Sequence, residues 1–298
     1  MGRGFSFGHT VSLPERLPTD FVRSMKPNFL VIGAPKAATT TVCALLSEHP
    51  EVYMLPQKGT QFFNRRYDFG WDWYEGLFSG AGDAKAIGEG SPSYAVATGD
   101  PPTAQRIAKH LPDVRLIYIV RHPVERLESH YVQQIDNGQQ FKSLSDAVYN
   151  SPALVAASRY WARISDYRQA FPDEQILVLF FEDFKKDPQE TLRRCFEFLD
   201  VDPTFAVSDP KSAKNTRADK RTDRPLLRWV RRHESYVKLQ WALPRWFVET
   251  LKPLLRRPIK IDVTWDEPTR LWVIEQVADD ARQFLEFYQK PPDYWVLD

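Results

Sequence analysis

Cysteine is nearly absent: Cys43 and Cys195 are the only two in 298 residues. Two thiols are too few for a disulfide scaffold or a zinc cluster. Both sit in apolar, helix-like stretches, so buried free thiols are expected. No run approaches the ~18 consecutive apolar residues of a membrane-crossing helix. The opening stretch, MGRGFSFGHTVSLPERLPTD, lacks the apolar centre of a secretory signal, and the expected compartment is the cytoplasm. An excess of one charge is missing too. Forty Lys and Arg stand against thirty-nine Asp and Glu, which argues against a dedicated nucleic-acid binder with a basic surface. There is no internal repeat and no low-complexity tract.

What is present is apolar bulk. Hydrophobic residues make up 43% of the chain and aromatics 13%, and a chain of this length buries roughly 75% of its unfolded surface. Residues 1–27, with Pro14, Pro18 and Pro27, read as an irregular arm, and 28–298 as a single domain. Four short apolar runs predict strands at 28–33, 85–88, 114–120 and 175–181, the second marked by its Ser91-Pro92 break. Helical spacing separates them: 39–48 after the first, a helix through Tyr131 after the third, and QETLRRCFEFL after Asp187-Pro188. Solid apolar runs alternating with helices predict an α/β fold, a central parallel sheet with helices on both faces. Asp266 is the predicted N-cap of a last core helix. Charge is uneven: residues 211–260 hold fifteen Lys or Arg and four Asp or Glu. That stretch reads as a basic helical excursion, either packed on the core or walling a cleft for an anion.

Two stretches carry chemistry. The first strand runs into GAPKAATTT (33–41) and then a helix. Strand, small-residue loop and helix N-terminus make an anion site, because exposed N–H groups and the positive dipole end face the ligand. Pro35, Lys36, Ala37, Ala38, Thr39, Thr40 and Thr41 are its candidate residues. It is not the nucleoside-triphosphate loop, which ends Gly-Lys-Ser/Thr, since Lys36 precedes Thr39 by three residues. Read by itself it could also be an ordinary turn. The second stretch is RLIYIVRHPVERLESHY (115–131). Arg121 ends the strand, Pro123 opens a helix, and two helical turns bring Ser129 back toward the strand end, where both can reach one phosphate. The alternative is Arg121 in a structural ion pair with Ser129 as a plain helix residue.

Together these stretches resemble the sulfotransferases that use 3′-phosphoadenosine 5′-phosphosulfate (PAPS), especially bacterial members and the heparan sulfate N- and 3-O-sulfotransferase domains. Further matches are TQFFN (60–64), GEGSPSY (88–94) and SRYWARISDYRQAFPDEQILVLFFEDF (158–184). The resemblance implies a P-loop-like nucleotide-binding fold, PAPS as donor, adenosine 3′,5′-bisphosphate (PAP) as product, no metal, and a small-molecule or carbohydrate acceptor. Lys36 would touch the bridging oxygen, Thr39 and Thr40 the 5′-phosphate, and Arg121 and Ser129 the 3′-phosphate. Arg217, Lys220 and Arg221 in SAKNTRADKR would cover the nucleotide. Trp161, Tyr160 and Tyr167 lie on a helix resembling one near the acceptor cleft, although such spacing also suits core.

One departure matters. Relatives carry Lys-Glu-x-x-Phe-Phe, whereas this chain reads Lys58-Gly59-Thr60-Gln61-Phe62-Phe63. The expected base is missing at Gly59. Glu89 or His122 could replace it, the acceptor could need little deprotonation, or the chain could bind PAPS or PAP without efficient turnover. A nucleotide kinase is a further alternative, disfavoured by the position of Lys36.

Overall fold

The computed structural model describes residues 25–56, 59–96, 102–208, 221–223, 256–258 and 261–297. The four apolar runs form strands. Phe29–Gly33 is β1, with every residue buried. It leads through a tight loop into α1, Thr39–Leu46. A three-residue strand, β2 (Val52–Met54), follows. It was not anticipated, because three residues are too few to stand out as an apolar run. Two short helices, α2 (Phe62–Arg65) and α3 (Trp71–Gly76), lead to β3, Ala86–Gly90. Helix α4 (Thr103–His110) precedes β4, Arg115–Val120, whose last five residues are buried. The chain continues through α5 (Pro123–Asp136), α6 (Leu144–Asn150), α7 (Ala153–Ala156) and α8 (Tyr160–Arg168) to β5, Ile176–Phe180. Helices α9 (Phe181–Lys186) and α10 (Pro188–Phe198) come next.

The sheet order is β2-β3-β1-β4-β5, and every pairing is parallel. Strands buried on both faces are what a helix-covered parallel sheet requires. From β1 the chain turns to one edge through α1 and β2. From β4 it turns to the other through α5 and β5. The loops leaving the carboxyl ends of β1 and β4 therefore flank the topological switch point, where open α/β sheets bind ligands.

Within 211–260, the described residues are strand rather than helix. Arg221–Asp223 (β6) pairs antiparallel with Arg256–Pro258 (β7), and the β6 backbone passes beside α5. The rest of that excursion lies outside the described residues, as does the arm up to residue 24. Cys195 is buried, with burial pushing its thiol up to about 12, while Cys43 is only half-buried.

The last helix, α11 (Glu267–Phe287), starts where the sequence predicts. The Asp266 side chain accepts the Thr269 N–H at 3.0 Å. Its far side caps another helix. Asp280 accepts the N–H groups of Trp161 and Ala162, at 2.9 and 2.8 Å, in the first turn of α8. That turn has no cap from its own neighbours, so a distant carboxylate supplies both the acceptors and the negative charge favoured at a helix N-terminus. Asp280→Ala should therefore lower unfolding free energy by about 1–2 kcal/mol. Asp280→Asn, which keeps one acceptor, should lose less. Urea denaturation of both variants checks this; equal midpoints for parent and Asp280→Ala would refute it.

Candidate active site

The loop between β1 and α1 is built for an anion. Lys36 and Ala38 both have left-handed backbones, with φ of 75° and 66°. These turns gather successive N–H groups on one side, the geometry of an anion-binding concavity. The Ala38 carbonyl accepts from Thr41 and Val42, and no side chain caps the first turn of α1. The early N–H groups of the helix thus face the loop with the dipole behind them.

Lys36 ties this loop to the neighbouring element: its Nζ donates to Gln133 Oε1 of α5 at 3.0 Å. Gln133 lies one helical turn beyond Ser129, and Glu125 one turn before it. Residues four apart share a helix face, so Glu125, Ser129 and Gln133 form a polar stripe running from Arg121 to Lys36. At its start Arg121 donates to Glu125 Oε2 from Nε and Nη2, at 3.1 and 2.5 Å, and its guanidinium lies 4.8 Å from the Phe181 ring centre. Burial raises the Glu125 carboxyl, but the Arg121 hydrogen bond and charge outweigh it and hold the group below its usual range. The Arg121 carbonyl is fixed by the Tyr160 hydroxyl at 2.6 Å. Lys36, through Gln133, and Arg121, through Glu125, thus meet the face of α5 that carries Ser129.

A second pair on α5 escaped the sequence reading. Arg126 is fully buried. It donates to Ser158 Oγ at 2.8 Å, to His130 Nδ1 at 3.0 Å, and to the Leu154 carbonyl. None of these partners is a carboxylate. A guanidinium only donates, so His130 Nδ1 must accept and the ring proton sits on Nε2. Burial, then the charges of Arg126 and Lys36, push the His130 imidazole down to about 3. His130 is a neutral donor at physiological pH. The four-residue spacing of Arg126 with His130, and of Ser129 with Gln133, was the available signal. It was hidden because only Arg121 and Ser129 of that stretch were assigned to a phosphate, and Gln133 lies beyond it.

On the other side of the loop, Glu89 does not face the cleft as a base would. It is fully buried and accepts five hydrogen bonds. Oε1 takes the hydroxyls of Thr60, Tyr74 and Tyr94 at 2.7, 3.1 and 2.7 Å. Oε2 takes the Thr60 N–H at 3.2 Å and the Ser91 hydroxyl at 2.7 Å. Burial and the Glu89 charge push the Tyr74 and Tyr94 phenols well above their ordinary range, so both remain donors. Five donors leave Glu89 no open lone pair for a substrate proton; it braces the turn at residues 59–63. His122 is similarly occupied. Its Nδ1 accepts the Glu125 N–H at 3.5 Å, and its Nε2 donates to the Val296 carbonyl at 2.9 Å.

Gly59 sits at φ 63°, and a Cβ there would meet nothing closer than Gly90 O at 3.8 Å. There is space for a side chain, but the left-handed backbone disfavours any L-residue. A carboxylate at this position would need a different turn. Gly59 and Gly90 line a cleft of about 530 Å³ that begins at Thr39 and Thr40. Lys58, Arg217 and Lys220 lie outside the described residues, and Arg221 is described only through the β6 backbone. Tyr160 and Tyr167 are core, while Trp161 is half-buried beside Phe287. Among the described residues, no three His, Cys, Asp or Glu come together as metal ligands, and no helix is long and apolar enough to cross a membrane.

Comparison with known proteins converges on one family. A family model described as a sulfotransferase domain matches residues 26–224. Heparan sulfate glucosamine 3-O-sulfotransferase 6 of Mus musculus is 30% identical over 181 residues, 58% of this chain and 52% of that protein. The Homo sapiens protein of that name is 27% identical over 244 residues, 78% of this chain and 70% of its own length. The chain thus spans about half the length of the mouse relative. A sulfotransferase from Alicyclobacillus acidocaldarius has the same fold, with a TM-score of 0.66 at 22% identity over 91% of this chain and 99% of that one.

The Arg126–His130 pair has a measurable signature. The folded-state pKa of His130, about 3, lies below the ordinary value of 6.5. Between these values the unfolded chain binds a proton that the folded chain refuses. The contribution is fully present above pH 6.5 and is lost as pH falls toward 3. From pH 7 to pH 5 the parent should lose about 2 kcal/mol more stability than His130→Gln, whose amide still accepts from Arg126. Parallel stability curves for the two proteins would show that His130 titrates normally.

Proposed function

The chain belongs to the sulfotransferase family, and on that footing we propose that it moves a sulfonate group from PAPS to a hydroxyl or amine acceptor. The acceptor is a small molecule or a carbohydrate; the heparan sulfate relatives bring a sugar hydroxyl among the candidates. The observation that carries this reading is the stripe on α5 that joins Arg121, through Ser129, to the Gln133 contact of Lys36. It joins two anion-binding elements at adjacent strand ends, as a nucleotide phosphorylated at both 3′ and 5′ positions requires.

The residues fit the donor. Thr39 and Thr40, with the N–H groups of a loop shaped by Pro35, Ala37, Ala38 and Thr41, would hold the 5′-phosphate. Arg121 would exchange Glu125 for the 3′-phosphate beside Ser129. The exchange costs little, since the Glu125 side chain is 53% exposed and such pairs contribute weakly. PAPS supplies an activated sulfonate, and the protein contributes position and charge. The Lys36 ammonium would neutralise the leaving oxygen, and Gln133 sets its direction. Glu89 and His122 are proposed as braces, one for the 59–63 turn and one for the start of α5. Residues 28–298 are proposed as one domain behind the 1–27 arm.

PAP should raise the melting temperature strongly, while AMP and ATP do so weakly, because occupancy at ~100 times Kd adds about 2.7 kcal/mol. Arg121→Ala should erase most of the difference between PAP and AMP. Equal shifts for PAP and AMP in the parent would remove the donor assignment.

Lys36→Ala should lower turnover by roughly 100- to 1,000-fold at saturating PAPS, the typical loss of one preorganised donor. Its PAP affinity should change far less. Turnover equal to the parent would reduce Lys36 to a binding residue.

A further inference from the structure

The peptide that joins Arg121 to His122 is gripped from both sides. Its carbonyl accepts the Tyr160 hydroxyl at 2.6 Å, and its N–H donates to Glu182 Oε1 at 2.8 Å. The register of the sheet puts Glu182 there. Val120 and Phe180 end β4 and β5 as paired neighbours, so Arg121 and His122 leave one strand beside Phe181 and Glu182 leaving the next. The Phe181 ring centre lies 4.8 Å from the Arg121 guanidinium. Of these two consecutive residues, Phe181 seats the far end of Arg121 and Glu182 holds its backbone.

Glu182 braces nothing else. Among the described residues its Oε2 is buried without a hydrogen-bond partner, and Oε1 takes the one N–H. Glu89, by contrast, fills both oxygens with five donors. A buried carboxylate oxygen left unpaired is unfavourable, and its retention calls for a reason other than stability.

The two helix starts at the switch point are finished differently, and this supplies the reason. No side chain caps the first turn of α1. At α5, Pro123 has no N–H to give, Glu182 takes the His122 N–H, and His122 Nδ1 takes that of Glu125. An anion at α1 can rest on backbone donors, whereas one beside α5 depends on the side chains of Arg121 and Ser129. A guanidinium grips a phosphate through a fixed fork of donors, so its direction decides whether it binds.

We infer that Glu182 is a positioning residue for Arg121, and that selectivity for a 3′-phosphate depends on its bond to the His122 N–H. This rests on the sulfotransferase reading above and deepens its donor site. Glu182 acts through the peptide from which Arg121 extends. The β1–α1 loop, on a different strand end, does not depend on that bond.

Isothermal titration of PAP and AMP into the full chain tests this, because the two ligands differ only in the 3′-phosphate. Glu182→Ala should weaken PAP at least about tenfold, equivalent to about 1.4 kcal/mol, and leave AMP nearly unchanged. Glu182→Gln is as uncharged as the Ala variant, but its side-chain carbonyl still accepts the His122 N–H. It should bind PAP within about threefold of the parent, so the two variants read the bond at equal charge. If Glu182→Ala does not fold, Glu182→Met, which keeps the side-chain length without an acceptor, takes its place. A PAP-to-AMP affinity ratio unchanged in the Ala or Met variant, or lowered equally in Glu182→Gln, would overturn the inference. A parent that binds PAP and AMP equally would instead overturn the donor reading, and this inference with it.

Discussion

The β3 side of the β1–α1 loop depends on one carboxylate without access to water. Glu89 pairs in register with Leu30 at the heart of the sheet, and a buried charge there is tolerable only when fully hydrogen-bonded. Its five donors come from three separate stretches: Thr60, Tyr74, and the Ser91 to Tyr94 turn. The carboxylate therefore sets where the 59–63 turn rests against the end of β3. Gly90 belongs to the same arrangement. A Cβ there would come within 2.6 Å of Cys43 Sγ, so any side chain at this position would have to push the Cys43 thiol aside. The floor of the cleft is a product of that packing.

Across the loop the organisation is the reverse. Charge is gathered rather than excluded, and helix α5 is its scaffold. One stripe carries Glu125, Ser129 and Gln133, and the adjacent one Arg126 and His130. The buried guanidinium of Arg126 raises the positive potential without exposing a cation to solvent. It also holds His130 in one tautomer, so the site keeps the same protonation pattern through the neutral range. Back across the loop, no Lys, Arg, His, Asp or Glu lines the cleft among the described residues.

Much of the fold was legible because buried parallel strands are written as unbroken apolar runs. Phe29–Gly33 and Arg115–Val120 announce themselves in this way, and Asp266 announces α11. Val52–Met54 did not, since an edge strand of three residues leaves no pattern. The phosphate loop and the Arg121 to Ser129 spacing were legible for a similar reason: both are local in the chain. What could not be read was long-range pairing. Glu89 looked available because Thr60 and Tyr74, 29 and 15 residues away, reach it only on folding. His122 looked free because its partner carbonyl is 174 residues distant. Gly59 read as a lost carboxylate, whereas its backbone at φ 63° shows a turn built around glycine.

The bond from His122 to Val296 has a consequence for the order in which the protein is made. Trp295 is buried against Tyr160, Phe180 and Phe284, and this holds Val296 over the first turn of α5. Chains emerge from the ribosome N-terminus first, at roughly 5–20 residues per second. All five sheet strands are therefore synthesised well before the residue that pins His122. Until residue 296 is made, the start of α5 lacks this tether. The bond that fixes the first turn of α5 beside the β1–α1 loop is among the last the completed chain can make.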